Sequence, residues 1–290
     1  MERGVIVDCT LGYGGHSMMI LEANPQVKLI GIDQDPAAID FSTKRLAPFQ
    51  ERVEIIQGRF ASVISEVIAR EGVQNIRGIL ADIGVSSLQL DQKERGFSYE
   101  SSTLDMRMNP EASLSAADVV NGYSRHELER ILRDYGELRN YKKIASVMLQ
   151  GRPFCSAKEL ADAIKPYAPR GKKIHPATLV MQAIRIEVNR ELQELQELLD
   201  AIEHVRLQGT TVGIISFHSL EDRIVKQQFA RWSKHCICPS DAMRCSCGNN
   251  HALGTMVTKK PITAGEKELQ ENPRSRSAKM RIFEMDCRGE

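Results

Sequence analysis

Val5-Ile6-Val7-Asp8, Lys28 to Asp33, Val53 to Ile56 and Gly78 to Ile83 are short β-branched runs separated by segments with apolar residues at helical spacing. Those segments are a helix starting near Ser17, a helix from Pro36 to Leu46 with Pro36 suited to a first turn, and a helix from about Ala61 to Arg70. Strands alternating with helices in this way predict a parallel sheet with crossover helices.

After Asp91 the alternation stops. Ala116 to Asn121, Arg125 to Asp134, Glu137 to Gln150 and Ser156 to Lys165 all show helical patterning, joined by short polar connectors. One long amphipathic helix is expected from about Pro176 to His204, its stripe made by Ile184, Val188, Leu192, Leu195, Leu199 and Ile202. Val212 to Phe217 resumes strand character, with a helix through Asp222 to Trp232. Thr255 to Thr258 and Ala278 to Glu284 are expected to form an edge hairpin. The pattern predicts a doubly wound α/β, Rossmann-like domain at 1–98 and 185–290, interrupted by an inserted helical domain at 99–184.

Composition narrows the class. The chain has 290 residues, Lys+Arg 39 against Asp+Glu 38, and 42% hydrophobic residues. These are the proportions of a globular protein, which sets aside disordered, collagenous and coiled-coil classes. No apolar run approaches the roughly 18 residues of a membrane span, and the N-terminus lacks a secretory signal, so the reading is cytoplasmic. Seven cysteines, three of them scattered singly, do not make a disulfide framework.

The turn after the first strand, Asp8-Cys9-Thr10-Leu11-Gly12-Tyr13-Gly14-Gly15-His16, lets backbone approach a ligand at the mouth of the sheet. Asp33 ends the second strand, placed to accept hydrogen bonds from both hydroxyls of a ribose. A glycine turn with an acidic residue at this distance points to an adenosine-containing cofactor, either a dinucleotide or S-adenosylmethionine. The third glycine of a dinucleotide fingerprint is Ser17 here. The fourth strand ends in the polar cluster Asp82-Ile83-Gly84-Val85-Ser86-Ser87, and the methyl donor is the better supported ligand.

Seven ordered words make a resemblance specific: DIGVSSLQ from Asp82 to Gln89, Arg95-Gly96-Phe97, LDMRM from Leu104 to Met108, His175-Pro176-Ala177-Thr178, QAIRIEVN from Gln182 to Asn189, SFHSLEDR from Ser216 to Arg223, and NPRSRSAK from Asn272 to Lys279. The chain resembles the bacterial MraW/RsmH family. That resemblance implies S-adenosylmethionine-dependent methylation of N4 of a cytosine in the decoding region of small-subunit (16S) ribosomal RNA. It also implies donor contacts at Gly14, Gly15, His16, Asp33, Phe60, Asp82 and Gln89. Family members carry a further segment ahead of the first strand, and this chain reads as shortened at its start.

Methylating an exocyclic amine requires holding a weak nucleophile in line with the methyl group and accepting its proton, and it needs no metal. Asp82 is the first catalytic candidate, with Asp105 and His218 behind it. Arg107 is a candidate for holding phosphate or base. Two basic segments, Lys165 to His175 with Lys172 and Lys173, and Arg274 to Arg281 with Arg276, contain no acidic residue and suit RNA phosphates. The expected partner is 16S rRNA or the small subunit, with no membrane; a homodimer stays open. Cys236, Cys238, Cys245 and Cys247, with His235 and His251 nearby, are either zinc ligands or surface thiols of a reduced loop. The rival functions are a dinucleotide oxidoreductase and a non-catalytic subunit-assembly factor.

Overall fold

The structure, a computed structural model, describes residues 3–167, 176–239, 241–242 and 244–286. In chain order its elements are β1 (Gly4–Asp8), α1 (Gly15–Ala23), β2 (Val27–Asp33), α2 (Pro36–Arg45), β3 (Val53–Gln57), α3 (Phe60–Glu71), β4 (Ile76–Asp82), α4 (Ser87–Asp91), α5 (Ala116–Gly122), α6 (Arg125–Asp134), α7 (Tyr141–Gly151), α8 (Ala157–Ile164), α9 (Pro176–Asn189), α10 (Glu191–Val205), β5 (Thr211–Ser216), α11 (Ser219–Trp232), β6 (Gly254–Met256), β7 (Ile262–Thr263), α12 (Glu266–Glu271) and β8 (Lys279–Met285). They fall into two compact units, one of Met1–Gly84 with Gln193–Glu290 and one of Val85–Leu192. Residues 85–98 and 185–192, read from sequence with the sheet domain, thus lie in the helical unit. Among them Phe97 and Val188 are buried in its core, with Val85 packed against it. Among the described residues no helix is long and apolar enough to cross a membrane.

The first unit is built on a sheet of strand order β3-β2-β1-β4-β5-β8-β6. Strands β1 to β5 are parallel, and the order reverses between β1 and β4, the switch point where doubly wound sheets open a crevice at their carboxyl ends. Adjacent positions in β1 and β2 are buried because both faces are covered. One face carries Val7, Ile30, Ile79 and Val212 against Ile64, Val67 and Ile68 of α3, Leu195, Leu199 and Ile202 of α10, and Phe229 and Trp232 of α11. The other carries Leu29 against Leu11, Leu21 and Leu46. Asp35 caps α2 through the Ala37 amide, with Pro36 in the first turn.

The expected edge hairpin in the tail is corrected in one respect. β8 runs antiparallel between β5 and β6, so it is an interior strand, and only β6 and β7 lie outside it. Phe283 accordingly sits in the core, its ring about equidistant from those of Phe229 and Trp232, at 5.3 Å from each.

The second unit packs α5 to α9 around Leu128, Ile131, Leu132, Met148, Leu160 and Ile184. Ser115 and Ser124 each form a reciprocal capping box, with Asp118 and Glu127. The single helix expected over 176–204 is two, broken at Arg190, whose φ is +54°. Arg185 grips Glu191 across the break through two hydrogen bonds, of 2.8 and 3.0 Å. The apolar stripe runs on through the break because its halves serve different cores: Ile184 and Val188 that of the helical unit, Leu195, Leu199 and Ile202 that of the sheet unit.

Candidate active site

The carboxyl ends of β1, β2 and β4 deliver three aspartates. Asp8 ends β1 almost wholly buried, accepting hydrogen bonds from Ser17 Oγ at 2.7 Å and the Thr10 amide at 3.2 Å. Burial raises its pKa above the ordinary carboxylate value, against the pull of those two bonds. Ser17 therefore anchors the start of α1 to the strand below, at the position where a dinucleotide fingerprint has its third glycine.

Asp33 ends β2. Its Oδ2 accepts from the Gly12 amide at 2.7 Å and its Oδ1 from the Asp35 amide at 2.9 Å. Burial pushes its pKa up to about 6, with both backbone bonds opposing. Each carboxylate oxygen has a second lone pair, so the pair of oxygens remains able to accept from two ribose hydroxyls.

Asp82 ends β4 with its amide donating to Thr10 Oγ1 at 2.6 Å. Its Oδ2 lies 3.5 Å from His16 Nε2, and its Oδ1 is buried without a hydrogen-bond partner among the described residues. An orphaned buried carboxylate oxygen costs free energy unless something binds there. The hydrogen bond to Asp82 raises the His16 pKa, burial opposing it.

Between these aspartates, the turn reaches α1 through Gly12 (φ +47°) and Gly14 (φ +71°). Gly14 is the N-cap of α1 in the left-handed region, where a Cβ would also meet Leu46 at 3.3 Å. No side chain caps this helix and no acid sits in its first turn, so its N-terminal dipole faces the crevice uncompensated. An anion at the glycine turn, hydroxyls at Asp33 and a cation at Asp82 describe an amino-acid nucleoside, and the residues present fit the methyl donor. Phe60 opens α3, half-buried against the core.

Other candidates are placed differently. In the helical unit, Gln89 is buried and joins Ser86 in a reciprocal cap of α4: its Oε1 accepts from the Ser86 amide at 3.0 Å while its own amide donates to Ser86 Oγ at 3.3 Å. Asp105 gives both oxygens to Arg107, which donates from Nε at 2.9 Å and Nη2 at 2.7 Å and sends Nη1 to the Ala112 carbonyl at 2.8 Å. Burial alone would raise the Asp105 pKa, but the Arg107 bonds carry it below the ordinary value, which makes a poor base. His218 is the N-cap of α11, with Nδ1 accepting from the Glu221 amide and the Glu221 carboxylate returning to the His218 amide.

Arg274 and Arg276 lie exposed in the 3-10 turn before β8. The same segment is less basic than its sequence reads: Asp222, fifty-nine residues from Arg281, accepts its Nε at 2.7 Å and stands 3.5 Å from Lys279 Nζ. Lys172 and Lys173 lie outside the described residues.

Three residues escaped the sequence reading. Thr10 orients the Asp82 backbone and Asp8 holds α1; Asp8 is the polar end of an otherwise apolar strand and Thr10 follows it by two residues, which is the signal that marks them. Asn189, within the QAIRIEVN word, donates to the Met106 carbonyl and accepts from the Met108 amide, both at 2.8 Å.

The MraW methylase family model matches residues 1–286. The chain is 62% identical over 285 residues to the ribosomal RNA small subunit methyltransferase H of Sulfurimonas denitrificans, covering 98% of this chain and 93% of that protein. Proteins of the same name from Nitratiruptor (58% identity, 98% and 93% covered) and Aliarcobacter butzleri (56%, 99% and 94%) are similar along the same length. The family match over nearly the whole chain and the likeness to these relatives along its length lead to one assignment: the chain belongs to the MraW methylase family.

Proposed function

We propose that this protein transfers a methyl group from S-adenosylmethionine to N4 of a cytosine in the decoding region of small-subunit ribosomal RNA, in the cytoplasm. The observation that carries the reading is Asp82, whose buried Oδ1 has no partner among the described residues while Oδ2 faces His16. The relatives' names supply the class of substrate.

When bound, the donor supplies an electrophilic methyl on a sulfonium. Gly14, Gly15 and the open start of α1 would hold its carboxylate, Asp33 its ribose and Phe60 its base. The cytosine amine is weakly nucleophilic because its lone pair is delocalised into the ring. Asp82 accepts a hydrogen bond from the amine, orients its lone pair, and takes the proton as the nitrogen becomes cationic. Asp105 and His218 act as positioning residues, the first fixing Arg107 and the second fixing the start of α11. Arg107, Lys172, Lys173, Arg274 and Arg276 are assigned to RNA phosphates, and the helical unit to recognising RNA shape, with the target base unpaired or flipped.

Labelled S-adenosylmethionine with small-subunit RNA and assembled subunits tests the reading. Label should enter RNA with the parent protein, and Asp82→Asn should lower turnover by roughly 100-fold or more while still binding the donor. Turnover near parent level in Asp82→Asn removes Asp82 from the mechanism.

A further inference from the structure

The segment 233–251 joins α11 to β6, and none of its described residues is buried. Apolar packing therefore does not order it. Its stem is closed by backbone pairing, with Leu253 N–H donating to the Trp232 carbonyl at 2.7 Å and His251 N–H to the His235 carbonyl at 3.0 Å. An exposed loop of this length without a core needs a cross-link to hold one shape.

Four cysteines meet inside it. The sulfurs of Cys236, Cys238, Cys245 and Cys247 all lie within 4.8 Å of one another. Three of the edges are 3.6 Å (Cys236 to Cys245), 3.5 Å (Cys245 to Cys247) and 3.7 Å (Cys236 to Cys247). Four sulfurs about 2.3 Å from a central zinc ion form a tetrahedron with edges of about 3.8 Å, which these separations approach. A disulfide would need one pair at about 2.0 Å and would leave the other pairs unexplained.

The surroundings match a metal knuckle as well. The Ile237 amide points at Cys247 Sγ at 3.5 Å and the Ser246 amide at Cys238 Sγ at 3.4 Å, donors that would stabilise charge on bound sulfur. Gly248 (φ +86°) and Asn249 (φ +55°) turn the chain directly after Cys247. His251 Nε2 lies 2.7 Å from the Cys247 carbonyl, so this ring braces the turn and is not a fifth ligand.

We propose that Cys236, Cys238, Cys245 and Cys247 form a closed tetrathiolate zinc site that staples 233–251 between α11 and β6. All four positions are filled by protein, so the site is structural, and it stands independently of the reaction proposed for the crevice.

The test uses the full chain, purified under reducing conditions without chelator. Elemental analysis should find about one zinc per chain. The Cys236→Ser/Cys247→Ser double variant should lose it and Cys155→Ser should keep it. Because the double variant risks misfolding, the parent chain is also stripped and titrated with Co2+, which should produce the visible absorption of a tetrahedral thiolate site and lose it on adding Zn2+. A parent chain that retains no zinc after loading and shows no thiolate–cobalt absorption overturns the proposal. So does peptide mapping that finds these cysteines paired as disulfides in the freshly purified protein.

Discussion

The Gly12 amide donates a 2.7 Å hydrogen bond to Oδ2 of Asp33, tying the turn after β1 to the end of β2. Asp33 thus shapes the turn as well as offering oxygens to a ligand. Asparagine there has one acceptor for two inward amides, so Asp33→Asn should cost about 1.5–3 kcal/mol of donor binding, roughly 10- to 150-fold in Kd.

The same residue sets a pH dependence. With its pKa pushed up to about 6, Asp33 is ionised above that value and protonated below it. Donor affinity should fall as pH drops through about 6, measured calorimetrically. Stability moves the other way: the folded chain holds this proton more tightly than the unfolded one, so the Asp33 contribution improves as pH falls from about 6 toward the ordinary value of 3.8. An affinity flat across that window contradicts the assignment.

His16 and Asp82 should shape the rate profile. Protonated His16 draws on the carboxylate that is to receive the amine proton, and Asp82 keeps it protonated above the ordinary imidazole value. Turnover should rise with pH as His16 loses its proton. In His16→Ala the acid limb should shift to lower pH, read from kcat profiles of both proteins. The pair's stabilisation is present below the unfolded imidazole value of 6.5 and is lost as pH rises through the raised folded value.

Asp222 is a stability residue. The Arg281 side chain is 95% buried, and its Nε reaches Asp222 at 2.7 Å. Burial would raise the Asp222 pKa, yet hydrogen bonds from Arg281 and the nearby Lys279 hold it below the ordinary range. Removing the partner in Asp222→Ala leaves a buried charge and should cost about 3–5 kcal/mol in denaturant unfolding. The depressed folded value means that this stabilisation is present at neutral pH and lost as pH falls through it.

Asn189 should be nearly as costly within the helical unit. Asn189→Leu strands the Met108 amide and the Met106 carbonyl, at about 1–3 kcal/mol for each buried group. Urea unfolding with a loss under about 0.5 kcal/mol would show that the two groups find other partners.

Strands β1, β2 and β4 were legible because each carries a short apolar run before its terminal aspartate, β3 because Val53, Ile55 and Ile56 stand out beside Glu54, and Asp33 and Asp82 because they end such runs. The break at Arg190 was not legible: the apolar stripe continues through it, and what ends α9 is Asn189 reaching residues more than eighty positions earlier. The Asp222 to Arg281 pair was hidden by its separation for the same reason. The LDMRM and QAIRIEVN words read as chemistry, but Asn189 spends its hydrogen bonds on the Met106 carbonyl and Met108 amide, and both oxygens of Asp105 are taken up by Arg107. The cysteine spacing raised zinc without deciding it, because only the fold brings four sulfurs together.

Nucleoside mass spectrometry tests the central claim most directly. Small-subunit RNA lacking the modification is incubated with the protein and S-adenosylmethionine, free and in assembled subunits, and then digested. The account predicts N4-methylated cytidine from the decoding region, in at least one of the two substrates, formed roughly 100-fold or more slowly with Asp82→Asn. Methylation at another base or atom, or none in either substrate while the donor binds, would contradict it.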